Sequence, residues 1–301
     1  MAVPLKIEPA AAAGWHDSSS LIVSAANWWA EKMPRGRGAV PRMLSRLVPK
    51  DRKETFTTKH GAKLAMVPRV LDVYAAMKRK GRCWDVYVFD TCRSLLKPGD
   101  VFYDLGGNVG YMTIEMATLF AGKVRCIAFE PQPDLARSIA ISAALNGVGD
   151  AVTVFETMVG DAVREETLML TSHSLHASVN AGESGGKALK RQMICLDELV
   201  ASGEAPPPDV MKIDIEGGEL QALRGAQAMI REHRPHIVFE INSCAERFGY
   251  SRKDVFDLLQ GLADYEFFEI EVDSSLRPAR SDQGSPDVLA RSVSRYQAST
   301  S

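Results

Sequence analysis

Residues 102–113 read FYDLGGNVGYMT: an apolar run ending at Asp104 breaks into Gly106, Gly107 and Gly110, then re-emerges as a helix-forming segment. Glycine lets a backbone turn where other residues cannot, and lets it come close to a ligand. A strand that feeds a helix through such a turn points to an α/β layout, in which ligands sit beyond the carboxyl ends of the strands. The following sequence keeps that alternation. Helix YMTIEMATLFAG, strand VRCIAFEP, helix PDLARSIAISAALNG and strand VTVFETMVGD come next, and then an irregular polar stretch over about residues 162–190. Strand QMICLDEL and the break Pro206-Pro207-Pro208 precede strand VMKIDIEG, helix GELQALRGAQAMIREH and strand HIVFEIN. Helix DVFDLLQGLADY, strand EFFEIEVD and a last strand in DVLARSV complete the pattern. Short apolar runs suit strands covered on both faces by helices, and the late pair without a long helix between them predicts an antiparallel closure.

Upstream the character differs. Residues 1–54 form an N-terminal basic and helical extension, and residues 55–98 a lead-in to the main domain, 99–301. The opening MAVPLKIEPAAAAGWHDSSS reads as a mobile lead-in. LIVSAANWWAEKM predicts a helix with Leu21, Ala25, Trp28 and Trp29 at helical spacing and Ser20 as N-cap. The next segment carries Arg35, Arg37, Arg42, Arg46, Lys50, Arg52 and Lys53 against Asp51 alone. Packing of residues 20–53 on the body is the simpler expectation, and peripheral contact with an anionic membrane surface the other. ETFTTKHGAKLAMVP predicts a hairpin turning at HG, and RVLDVYAAMKRKG a helix with Val70, Tyr74 and Met77 on one face and Gly81 as C-cap.

Bulk properties exclude several classes. A hydrophobic fraction of 46% and a charged fraction of 25% are those of an ordinary globular protein. The net charge of -2 gives no reason to expect a nucleic-acid partner. Five scattered cysteines, none in a C-x-x-C pair, argue against a structural zinc site or a disulfide framework. With no basic-then-apolar opening and no run of some 18–20 apolar residues, the expected location is cytoplasmic.

The glycine turn discriminates between ligands. Dinucleotides want G-x-G-x-x-G over a pyrophosphate, and a P-loop needs GK[ST]; this turn, D-x-G-G-x-x-G, is neither. S-adenosylmethionine, which has no phosphate, suits it better. Asp104 would answer the ammonium group, and Glu130, at the end of the next strand, would accept both ribose hydroxyls before Pro131 turns the chain away. Asp161, in MVGD, would accept from the adenine amino group. The expected cofactor set is Asp104, Gly106, Gly107, Asn108, Gly110, Tyr111, Glu130, Pro131 and Asp161.

DLGGNVGYMT, AFEPQPD, MVGD and above all MKIDIEGGELQALRGA resemble the FkbM-type S-adenosylmethionine-dependent methyltransferases, over roughly residues 81–245. GRCWDVYVFD resembles the family's lead-in, with Asp85 where Glu is usual, and Gly107 stands where the family most often has Ala. The resemblance implies a doubly wound, mostly parallel seven-stranded sheet of class I methyltransferase type with an antiparallel last strand. It also implies transfer of a methyl group to a hydroxyl, of a glycan or glycolipid sugar or of a polyketide-type natural product. Methylation of nitrogen, and a protein that binds the cofactor without turnover, are the alternatives.

Methyl transfer from a sulfonium is an in-line displacement that holds the acceptor oxygen about 3 Å from the methyl carbon, and an aliphatic hydroxyl needs a base. In KIDIEG, Lys212, Asp214 and Glu216 share a strand face, which is costly in a buried strand without pairing or function. Glu240 and Asn242, at the end of HIVFEIN, would bind acceptor or base. His173 and His176, in the irregular stretch, are further candidates for the base. Asp214, Glu240 and these histidines together have the chemistry to hold a divalent ion, but nothing has tight metal-ligand spacing, so no metal is expected.

Overall fold

A computed structural model of the chain describes residues 3–18, 20–33, 35–80, 86–170, 177–178, 187–242 and 244–300. Its main sheet is built from β1 (Val101–Leu105), β2 (Arg125–Phe129), β3 (Val152–Phe155), β4 (Val210–Ile213), β5 (His236–Glu240), β6 (Tyr265–Ile270), β7 (Leu276–Pro278) and β8 (Asp287–Ser292). Their order in space is β7-β6-β8-β5-β4-β1-β2-β3. Strands β3, β2, β1, β4 and β5 are mutually parallel, so the winding reverses between β1 and β4. Strand β8 is antiparallel to both β5 and β6, the closure expected from the sequence, and the three-residue β7 adds an eighth strand at the edge.

The apolar strands are buried on both faces because successive side chains point to opposite sides. Phe102, Cys126, Ala128 and Val154 join one core cluster, with Ile114 and Ile139 of the covering helices. Tyr103, Ile127, Phe129 and Phe155 join the other, with Met211, Leu223 and Phe256. Full burial of each such Phe, Leu or Ile contributes on the order of 2 kcal/mol. The first cluster runs on without interruption into Val23, Val48, Leu71 and Phe89, so the N-terminal segments share a core with the main sheet.

The opening residues pack as well, contrary to the mobile reading. Leu5 N donates to Val154 O at 2.7 Å on the free edge of β3, and Ile7 lies against Gly149. Helix Leu21–Lys32 starts at Ser20, whose side chain accepts from Val23 N, but the face it buries is Val23, Ala26 and Ala30. Leu21 and Trp28 point outwards, at 87% and 53% exposure, because the small residues allow close approach to helix Leu71–Lys80. The hairpin Glu54–Thr57/Lys63–Ala65 turns at His60-Gly61 as predicted, and His60 Nδ1 sits 3.3 Å from the fully buried Glu115. Gly81 and Asp85 lie outside the described residues.

Two segments differ from the sequence reading. The polar stretch after residue 162 contains a long antiparallel pairing of Arg164–Leu170 with Lys187–Ile194, to which Met158–Val159 and Ala177–Ser178 add short strands. Its apolar face, Leu168, Leu170, Leu189 and Met193, was hidden among charged partners such as Glu165 and Lys190. QMICLDEL accordingly ends as a strand at Ile194, and Leu196–Ala201 is helix. Residues GELQALRGAQAMIREH form two helices, Glu219–Arg224 and Gln227–His233, broken at Gly225. There the chain touches the 160 turn so closely that a Cβ on Gly225 would lie 1.9 Å from Gly160 O.

Alanine at 225 therefore tests this contact, since the Gly225 φ of -82° suits any residue. Gly225→Ala is expected to lower stability by about 2–3 kcal/mol through overpacking. Gly261→Ala, in a helix where an added Cβ meets nothing within 4 Å, is expected to raise it, by about 0.5–1 kcal/mol. Equal midpoints for wild type and Gly225→Ala in urea unfolding would refute the contact.

Candidate active site

The glycine turn lies at the reversal of the sheet, and its conformation explains its composition. Gly106 has φ +84°, and a Cβ there would lie 2.0 Å from Asp214 O. Only glycine permits that approach. Gly107 has an ordinary φ, and its Cβ would meet the end of Ile139 at 2.9 Å. Gly106 N and Gly107 N donate to Phe129 O, so the turn is sewn to the end of β2. Glu130, which follows β2, is 3% exposed; its two carboxylate oxygens accept from Asn108 N at 2.8 Å and Gln132 N at 2.9 Å. Burial pushes its carboxyl up to about 7, against the pull of those two amides.

These groups line a cavity of about 320 Å³ over the carboxyl ends of β1, β2, β4 and β5. Its walls beside Glu130 are apolar: Phe129, Val159, Leu168 and Met193, the last two from the long antiparallel pairing. Val73, Met77 and Val88 close it from the N-terminal side. Tyr111 and Pro131 also line it, and Asn108 Oδ1 is buried with no hydrogen-bond partner.

Strand β4 brings the charged end. Lys212 is paired in register with Asp104 of β1. Its Nζ lies 3.4 Å from Asp104 Oδ1, 3.5 Å from Asp214 Oδ2 and 3.2 Å from Gly106 O. The strand ends at Ile213, so Glu216 reaches the cavity through a turn rather than along the strand face. Glu216 has φ +58°, a conformation that costs about 1 kcal/mol or more in a non-glycine residue and clusters at functional sites. Glu219 holds that turn. Its Oε1 accepts from Ile215 N and Gly217 N, and its Oε2 accepts from Tyr250 OH. Burial raises the Glu219 carboxyl above the usual range.

Opposite, Asn242 Nδ2 donates to Glu240 Oε2 at 2.9 Å. Burial, reinforced by Asp214, Asp287 and Glu216, pushes Glu240 up to about 8. Asp287 stands across from Glu240 in the β5–β8 register and accepts from Tyr87 OH at 3.1 Å. Burial pushes it to about 6, with Tyr87 opposing and Asp214 adding to the rise. Sequence reading missed Asp287, Tyr87 and the role of Glu219. Asp287 opens the antiparallel strand, so its first residue falls at the end where the parallel strands finish; that was the available signal.

Two expected residues stand elsewhere. Asp104 is fully buried behind the cavity wall, where it accepts from Thr113 Oγ1 at 2.6 Å and faces Lys212. Asp161 is exposed and paired with Arg164 at 2.7 Å, outside the cavity lining, because β3 ends at Phe155 and the next residues leave for the second sheet. His173 and His176 lie outside the described residues. Among the described residues no group of His, Cys, Asp and Glu is arranged to hold a metal ion, and no helix is long and apolar enough to cross a membrane.

Residues 104–267 match the methyltransferase FkbM domain. The chain belongs to the FkbM methyltransferase family. It is also 30% identical over 173 residues to the hexuronic acid methyltransferase AglP of Haloferax volcanii, an alignment covering 56% of this chain and 66% of that protein. Among solved structures, the FkbM methyltransferase of Methylobacillus flagellatus is 16% identical with a TM-score of 0.45, over 87% of this chain and 60% of that one. An S-adenosylmethionine-dependent O-methyltransferase of Thermotoga maritima is 14% identical with a TM-score of 0.39, over 82% and 79%.

A raised carboxyl has a consequence for stability in this FkbM-family protein. Because the folded protein holds the Glu240 proton more tightly than an unfolded chain would, the associated stability is complete below pH 4.5 and is lost as pH rises through about 8. Glu240→Gln removes that loss. Its melting temperature is expected to exceed that of wild type by a margin that grows between pH 5 and pH 8.5, reaching on the order of 2 °C or more. A margin independent of pH would show that Glu240 is not the strained proton site.

Proposed function

We propose that this protein is an S-adenosylmethionine-dependent O-methyltransferase acting on a hydroxyl of a sugar, in a glycan or glycolipid. The observation that carries the reading is one cavity with two chemically distinct ends: a glycine cradle with Glu130, and a set of carboxylates around Lys212. The cofactor fits the first end. The turn at Gly106 packs its bare backbone against Asp214 O and forms part of the cavity wall, Asn108 offers an unpartnered buried oxygen, and Glu130 is held rigidly by two amides. Glu130 would bind the ribose hydroxyls, with Phe129, Val159, Leu168 and Met193 around the base. Asp104 acts at second hand, by holding Lys212. When bound, S-adenosylmethionine supplies a methyl group made electrophilic by its sulfonium. The relative named for a hexuronic acid supports a sugar as the acceptor class.

The second end supplies the proton acceptor. Asn242 occupies Glu240 Oε2, which leaves Oε1 to take the proton of the acceptor hydroxyl. A carboxyl raised towards 8 is a stronger base, once ionised, than an ordinary glutamate. Asp214 and Glu216 orient the hydroxyl from the β4 side, and the strained Glu216 backbone is consistent with a side chain placed for that task.

Titration calorimetry with S-adenosylhomocysteine tests the first end. Wild type and Gly107→Ala are expected to bind in the micromolar range, since only the flexible end of Ile139 must move, whereas Glu130→Ala and Gly106→Ala are expected to lose at least tenfold. Full-strength binding by Glu130→Ala would remove the cofactor assignment. Methyl transfer tests the second end. The rate in kcat/KM should climb with pH until Glu240 is ionised and then level, and Glu240→Gln should lower it by about 10²–10⁴-fold with the limb gone. An unchanged limb in Glu240→Gln would assign the base elsewhere.

A further inference from the structure

The two ends of the cavity differ in charge, and the difference bears on which sugar can enter. Around the acceptor end stand Asp214, Glu216, Glu240 and Asp287. Among the described lining residues Lys212 is the sole cation, and its ammonium already lies between Asp104, Asp214 and the Gly106 carbonyl. Among the described residues no arginine lines the cavity to fork onto a carboxylate or phosphate, the arrangement by which proteins bind such anions. An anionic group entering here would be desolvated against like charges, which is the costliest kind of mismatch.

The geometry points to an acceptor sugar that carries no carboxylate or phosphate beside its reacting hydroxyl, with a basic amine at that place favoured over a neutral group and Asp287 as the residue that sets the preference. Asp287 is suited to this because it faces the cavity from β8 while Tyr87 fixes one of its oxygens. Burial, with Asp214 adding to both and Asp287 adding to Glu240, holds protons on Glu240 and Asp287 above the usual carboxyl range, and an incoming ammonium would relieve that repulsion. This inference rests on the O-methyltransferase reading and narrows it: it separates this chain from a relative named for a hexuronic acid.

Three p-nitrophenyl glucosides that differ only at carbon 6 test it: the 6-amino-6-deoxyglucoside, the glucoside and the glucuronide. Each is offered with labelled S-adenosylmethionine at pH 7.5, and methylated product is followed by mass. The expected order in kcat/KM is amine above neutral above acid, with at least tenfold between the extremes. Asp287→Asn should compress that ratio several-fold, while S-adenosylhomocysteine binding stays at the wild-type level. A glucuronide methylated as well as the amine, or a ratio that Asp287→Asn leaves intact, overturns the inference but leaves the methyltransferase reading standing. Methylation of none of the three also overturns it. Calorimetry with S-adenosylhomocysteine on the same sample then shows whether the cofactor assignment falls too.

Discussion

The contact between the glycine turn and the end of β4 is the constraint on which the site depends. Gly106 lies so close to Asp214 O that no side chain fits between them, and Lys212 reaches across the same junction to Asp104 and to the Gly106 carbonyl. A buried ammonium without partners would be untenable, and a buried Asp104 without Lys212 equally so. Each therefore makes the other acceptable, and both fix β1 against β4 at the point where the winding reverses. DLGG and KIDIEGG are far apart in the chain, yet they are two halves of one junction. Breaking a pair of this kind by removing one member costs about 3–5 kcal/mol in other proteins, which gives the scale of what holds the cavity open.

Around that junction the structure accumulates negative charge instead of dispersing it. Burial comes first, and Asp214 then adds to the proton affinity of both Glu240 and Asp287, while Asp287 and Glu216, the latter from a strained backbone, add to that of Glu240. None of this favours folding. The supporting contacts are correspondingly strong: Glu219 accepts three hydrogen bonds to hold the Glu216 turn, and the apolar layers on both faces of the sheet are continuous. The stable parts of the molecule thus carry a carboxylate cluster that does not itself stabilise the fold.

Much of this was legible in the amino-acid order because it depends on local rules. The strands β1, β2, β4 and β5 are short apolar runs, the turn is marked by glycines, and Lys212, Asp214 and Glu240 are charges at the ends of apolar strands. The errors arose where distant contacts decide. Nothing local shows that Phe155 ends its strand and that Met158 joins another sheet, and this is why Asp161 was placed in the cavity. Nothing local shows that Gly225 meets Gly160, so one helix was expected where two occur. In the helix Leu21–Lys32 the large apolar residues suggested the buried face, whereas close helix packing selected Val23, Ala26 and Ala30.

Asp287 is the instructive case, because its position follows from chain direction alone. In a purely parallel sheet every catalytic side chain must come from the carboxyl end of a strand, after the apolar run has been read. One antiparallel strand inverts the rule: β8 delivers its first residue, not its last, to the functional edge. The register then sets Asp287 directly across from Glu240, and two carboxylates that are remote in sequence become a pair. Neither position carries that meaning alone. The repulsion by which Asp287 adds to the proton affinity of Glu240 is a property of the topology and not of either residue.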